Sequence, residues 1–159
     1  MSFDDWMLAL HVLSAFALVA GVVLFWVLVF VVHRTDTADG ILRLGPLTKV
    51  AGVAIGVGMG GTIVLGIWLA FSVGGYDIWD GWIVAALVLW FVAAALGRRA
   101  DTAYRESVKK AQELQAAGQQ GPSAELLDLN RTSKGILWQS LISVIVLLVI
   151  VDMIWKPGA

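Results

Sequence analysis

Trp6–Val32, WMLALHVLSAFALVAGVVLFWVLVFVV, is 27 consecutive residues carrying one ionisable side chain, His11. Apolar runs of about 18 residues or more are long enough to cross a bilayer as a helix. The run does not alternate apolar and polar residues, so a transmembrane strand is excluded. Working outward, three more runs qualify: Val50–Val73, Gly81–Gly97 and Gly135–Trp155. The shortest has 17 residues and rises about 25 Å at 1.5 Å per residue, close to the roughly 30 Å of a hydrocarbon core. Composition agrees, because 59% of the 159 residues are hydrophobic and 14% charged, whereas soluble domains carry about one-quarter charged residues. The fold expected is an all-α integral-membrane four-helix bundle. It forms a single membrane domain over 1–159, with spans at about 6–32, 50–73, 81–97 and 135–155.

Lys and Arg set the expected orientation. Ten of the eleven cations fall after span 1 (Arg34, Arg43, Lys49) or after span 3 (Arg98, Arg99, Arg105, Lys109, Lys110, Arg131, Lys134), and Lys156 stands alone at the other side. This predicts a bacterial cytoplasmic-membrane protein with both termini and the loop from Tyr76 to Asp80 outside the cytoplasm. Trp6, Trp79, Trp82 and Trp155 then read as an outer aromatic belt, with Trp138 at the inner interface. The leader Met1–Asp5 is acidic, unlike a signal peptide, so span 1 is expected to stay. The net charge of −1 gives no footprint for nucleic acid. The absence of cysteine removes disulfides, thiolate metal sites and a cysteine nucleophile.

The segment 98–134 is the one sizeable part outside the bilayer and is expected on the cytoplasmic side. Residues 99–117 favour a helix that prolongs span 3, Gly118, Gly121 and Pro122 break it, and Ser123 can cap a short helix to about Leu129. Arg98, Arg99, Arg105, Lys109 and Lys110 read either as a docking or anionic-lipid patch or as the solvated face of a helix obeying the charge rule. In the bilayer, small residues let backbones approach. Gly52, Gly56 and Gly60 repeat every fourth residue on span 2 and are expected to pack within the chain, with a homodimer seam as the alternative. Ser14, Ala17 and Gly21 share the stripe of His11 on span 1. Gln139, Ser140 and Ser143 are read as polar links between helices.

His33, beside Arg34, reads as a solvated interfacial residue. His11 lies about 7 Å inside Trp6, and an intramembrane ionisable group is a functional-site hypothesis. Asp152, about 4–5 Å inside Trp155 on an oppositely directed span, has a comparable depth. Two readings stand side by side. Lys156, four residues on, neutralises Asp152 at the headgroups; or Asp152 orients the His11 imidazole, as carboxylates do behind ligating histidines. As a metal ligand, His11 would have thioethers within range at Met7, which shares its face, and at Met153, on another helix; such donors suit Cu(I) or haem. The competing reading is a packing histidine.

Leu10-His11-Val12-Leu13 followed by Gly21, with the closing Met153-Ile154-Trp155-Lys156-Pro157-Gly158, resembles a bacterial family of uncharacterised four-span integral membrane proteins. More remotely, the early His of span 1 and the four-helix plan are similar to membrane-bound protoporphyrinogen oxidases and copper-resistance D proteins. The resemblance implies a b-type haem or copper at His11, with Asp152, Met153 and Lys156 around it. A cofactor-binding membrane protein is thus one expectation. An accessory or interaction subunit, as a homo-oligomer or in a larger membrane complex, is the other. A small transporter has less support, because no interrupted helices or paired intramembrane charges are present.

Overall fold

The structure is a computed structural model, and it describes residues 2–72, 77–119 and 121–157. Val73, Tyr76 and Gly158, placed above in span 2, the outer loop and the closing motif, lie outside the described residues. The described chain is all-α: α1 Phe3–Arg34, α2 Ala38–Leu42, α3 Gly45–Ser72, α4 Gly81–Ala116, α5 Ala124–Thr132 and α6 Gly135–Trp155. Four helices are long and apolar enough to cross a membrane, so the chain is a multi-pass, four-helix membrane protein.

The helix ends follow local chemistry. Ser2 and Asp5 close a reciprocal capping box at the start of α1, satisfying two backbone donors that helix geometry leaves open. Gly118, with φ +76°, supplies the left-handed residue after α4 that glycine tolerates best. The Ser123 hydroxyl accepts from the Leu126 amide at 3.3 Å and starts α5. Asp80 stands at the N-cap of α4, but its carboxylate accepts from the Asp77 amide at 3.1 Å and makes no bond to the helix.

The four spans form two antiparallel pairs. α1 packs along α3, α4 packs along α6, and α1 also runs against α6, while α3 and α4 scarcely meet. α3 is therefore an edge helix. Its seam with α1 is a ladder of small residues. A Cβ at Gly21 would lie 2.6 Å from Ile55, one at Gly58 would press into the Leu18 backbone, and one at Gly61 would press into the Ser14 side chain. Gly66 closes the ladder against His11. Lipid tails are as apolar as leucine, so close approach of this kind, not transfer out of water, holds such helices together.

Here the expected packing stripe is corrected. Cβ atoms at Gly52, Gly56 and Gly60 would meet nothing within 4 Å. At about 100° per residue, Gly56 and Gly60 lie about 200° round the helix from Gly58, so they point away from α1.

The second seam is polar at intervals. Buried Gln139 donates to the Val22 carbonyl at 2.9 Å, and Trp26 donates to Ser143 at 2.8 Å, tying α6 to α1. Ser140 instead bonds back to Ile136 of its own helix. Trp90 donates to the Met59 carbonyl at 3.2 Å and Thr48 donates to the Tyr104 hydroxyl at 2.9 Å, two polar links between α4 and α3.

Beyond the spans, α2, the extension of α4 and α5 bury a small core. Ile41, Ala111 and Leu126 have 0% exposure, and Tyr104, Val108 and Leu114 pack around them. Outside lipid the hydrophobic effect operates again, at about 1.5–3 kcal/mol for each fully buried large aliphatic side chain. The extension is thus a packed, amphipathic element.

Candidate functional site

The end of the bundle that holds both termini carries the residues singled out in the sequence. His11 projects from α1 into the notch that Gly66 leaves on α3. A Cβ there would lie 3.1 Å from Cε1 and 3.5 Å from Nδ1. The His11 Nδ1 is buried without a hydrogen-bond partner.

Asp152 sits near the end of α6, with Oδ2 buried and unpartnered. No hydrogen bond or ion pair between His11 and Asp152 occurs among the described residues. Met153 packs with Ala70, Trp82 and Ile83, a cluster joining the ends of α3, α4 and α6. Lys156 takes a left-handed conformation, φ 42° and ψ 61°, that ends α6. Its Nζ stands 5.3 Å from the centroid of the Trp82 ring, in cation–π range. Trp82 is consequently a core residue at 7% exposure, unlike Trp6, Trp79 and Trp155, which remain exposed as a belt requires.

The structure does not bring His11 and Met153 together as one ligand set. The His11 ring fills the Gly66 notch, and Met153 belongs to a different cluster. Among the described residues, no three His, Asp or Glu side chains converge to hold a metal.

The opposite, basic end holds a polar junction that sequence reasoning missed. Asn130, with 0% exposure, donates through Nδ2 to the Thr35 carbonyl at 2.9 Å. The Asn130 carbonyl accepts from the Ser133 hydroxyl at 2.9 Å and lies 3.1 Å from His33 Nδ1. A carbonyl only accepts, so Nδ1 carries the proton and Nε2 is left to its own surroundings. His33 is therefore a half-buried fastener between α1 and the α5–α6 turn, contrary to its reading as a solvated residue. The Ser123 amide donates to the Asp36 carbonyl at 2.7 Å, fastening α5 to the same strap. A cavity of about 30 Å³ beside this junction is lined by His33, Ala100, Tyr104, Ser107, Asn130 and Ile136, among others. Asn130 Oδ1 is buried without a partner.

Farther out, α4 and α5 bound a groove of about 440 Å³ lined by Glu106, Lys109, Lys110, Glu113, Glu125 and Asp128, with Leu129 and Thr132. Its two lysines pair with two of its four acids, Lys110 with Glu125 at 2.5 Å and Lys109 with Glu113 at 4.0 Å. Arg105 pairs with Asp101 at 2.6 Å. Three of the five cations grouped above as one patch are thus paired with acids. A stripe at Tyr104, Val108, Ala111 and Leu114, recurring at helical spacing, was the available sign that this helix has a packed face.

Neither a protein-family model, nor a curated protein, nor a solved structure matches the chain.

Proposed function

We propose that the chain is a non-catalytic assembly subunit of the bacterial cytoplasmic membrane, with both termini outside, that joins a second copy of itself through the outer face of α3. The observation behind this reading is the edge position of α3. One face is locked into α1, while the face bearing Gly52, Gly56 and Gly60 is uncovered. Small residues four apart allow two membrane helices to approach backbone to backbone, and a symmetric pair presents the same stripe twice. The ten-to-one cation asymmetry supports the orientation.

The chain contains no cysteine, so single cysteines report cleanly. Gly56→Cys should cross-link between copies on oxidation in native membranes, while Val144→Cys, exposed on α6, should not. Equal cross-linking at both sites, or none at Gly56, overturns the reading. A cysteine at Asp77 should react with an impermeant thiol reagent from outside the cell, and one at Gln115 should not.

A second reading keeps His11 as a cofactor ligand. It is favoured by one observation, the unpartnered Nδ1, and requires the remaining ligand from another chain. A Soret band in the purified protein that disappears in His11→Ala supports it, and a featureless visible spectrum rejects haem.

A further inference from the structure

The six cations left without an acidic partner share one level of the molecule. Ten cations cluster at the basic end. Four of them are in ion pairs: Arg43 with Asp39, Arg105 with Asp101, Lys109 with Glu113, and Lys110 with Glu125. Arg34, Lys49, Arg98, Arg99, Arg131 and Lys134 are exposed, and none has an ion pair among the described residues.

Their common height follows from contacts already described. The small cavity is bounded at once by His33, Ala100, Asn130, Ser133 and Gly135. These residues are chain neighbours of Arg34, of Arg98 and Arg99, of Arg131, and of Lys134. Thr48 meets the Tyr104 hydroxyl at 2.9 Å, which sets Lys49 about one helical turn, some 6 Å, beyond Ala100. By contrast, Lys109 and Lys110 stand about 14–15 Å beyond Ala100 along α4. The Lys109 and Lys110 pairs therefore stand outside this level and the unpaired bases lie where the four spans leave the apolar layer, with the Arg105–Asp101 pair starting at that level, one residue beyond Ala100. Arg99 lies 5.2 Å from the centroid of the Trp138 ring, an interfacial pairing of cation and tryptophan. Asp36 is a carboxylate near this level without an ion pair, and it does not balance six cations.

We infer that this ring is a binding collar for anionic phospholipid headgroups of the leaflet at the basic end. The ligand chemistry is a phosphodiester of net negative charge, presented at the edge of a hydrocarbon layer. The complementarity is specific to that height. A headgroup phosphate can reach Arg34, Arg98, Arg99, Arg131 and Lys134 while its acyl chains lie along exposed Val31, Val92 and Leu137. Juxtamembrane Lys and Arg residues gain free energy from an anionic surface, and the gain falls off within a Debye length. Five of the six cations lie off α3, so the inference does not depend on self-assembly through that helix; Lys49, seven residues before Gly56, is the one on its outer face.

The test uses the full chain reconstituted in vesicles of phosphatidylcholine, with and without phosphatidylglycerol. Energy transfer from the protein tryptophans to headgroup-labelled lipid reads local enrichment. Phosphatidylglycerol should be enriched over phosphatidylcholine around the protein, more so at low salt. Arg98→Gln with Arg99→Gln should reduce that enrichment, by up to about fivefold per cation removed. Arg105→Gln, which removes an already paired cation, should leave it nearly unchanged, and circular dichroism in phosphatidylcholine should show both proteins equally folded. Equal enrichment of the two lipids around the native chain overturns the collar. So does an equal loss in Arg105→Gln, which would indicate a diffuse field. Abolition by millimolar inorganic phosphate at constant ionic strength would assign the ring to a free anion instead and overturn the lipid assignment.

Discussion

The two faces of α3 are made of the same residue types and do opposite things. One carries Gly58, Gly61 and Gly66 against Leu18, Ser14 and His11; the other carries Gly52, Gly56 and Gly60 against nothing within the chain. Glycine in a membrane helix therefore signals permission for close approach, not the identity of what approaches. The partner is set by which helix the opposing face presents. On α1 that is the stripe His11, Ser14, Leu18 and Gly21, where every residue is small or finds a notch. The contrast also gives His11 a structural role, as the last rung of the seam.

The difference is sharpest in a pair of large substitutions. Gly58→Leu should be the most damaging, because even its Cβ would overlap the Leu18 backbone. A loss of about 3 kcal/mol or more, or failure to purify as a monodisperse species, is expected. Near-native thermal stability in detergent would show that the seam is not where the ladder puts it.

An intermediate effect is expected at the end of the ladder. His11→Ala empties the Gly66 notch and should cost about 1–2 kcal/mol. Gly66→Ala should cost less, since the ring has to yield by only a few tenths of an ångström. The two should be coupled, with Gly66→Ala better tolerated once the imidazole is gone. Strictly additive losses in a double-mutant cycle would separate His11 from the seam.

The smallest effect on the folded monomer belongs to Gly56→Leu, within about 0.5 kcal/mol as for surface changes elsewhere. Its consequence should be seen in self-association, measured by native mass or analytical sedimentation in mild detergent. A large loss of monomer stability would place Gly56 in an internal contact.

The spans, and His11, Ser14 and Gly21 of the α1 stripe, were legible because long apolar runs and one histidine leave few alternatives, whereas Leu18 takes the place expected for Ala17. The packing face of α3 was not. Its glycines occur on both sides of the helix, and periodicity identifies a stripe without naming its neighbour. The junction at Asn130 was hidden for another reason. Ser133 is three residues away, but His33 and Thr35 come from the far side of three intervening helices, and no local spacing relates them to Asn130. α2 escaped because five residues, Ala38–Leu42, are too few to show a period, although Ile41 becomes one of the most buried side chains. Asp152 and His11 show the converse limit. Helical rise gives the two a comparable depth, but depth fixes only height, and the two make no hydrogen bond.

The most direct measurement exploits the cysteine-free background. Ser14→Cys combined with Gly61→Cys should form an intrachain disulfide in the membrane-embedded protein, because a Cβ at residue 61 would lie 2.7 Å from the Ser14 Cβ and the seam needs to open by only about 1 Å to reach disulfide spacing. Ser14→Cys combined with Gly60→Cys, displaced by about 100° around the helix, should remain reduced under the same oxidant. Cross-linking through residue 60 in preference to residue 61 would contradict the assignment of the two faces of α3.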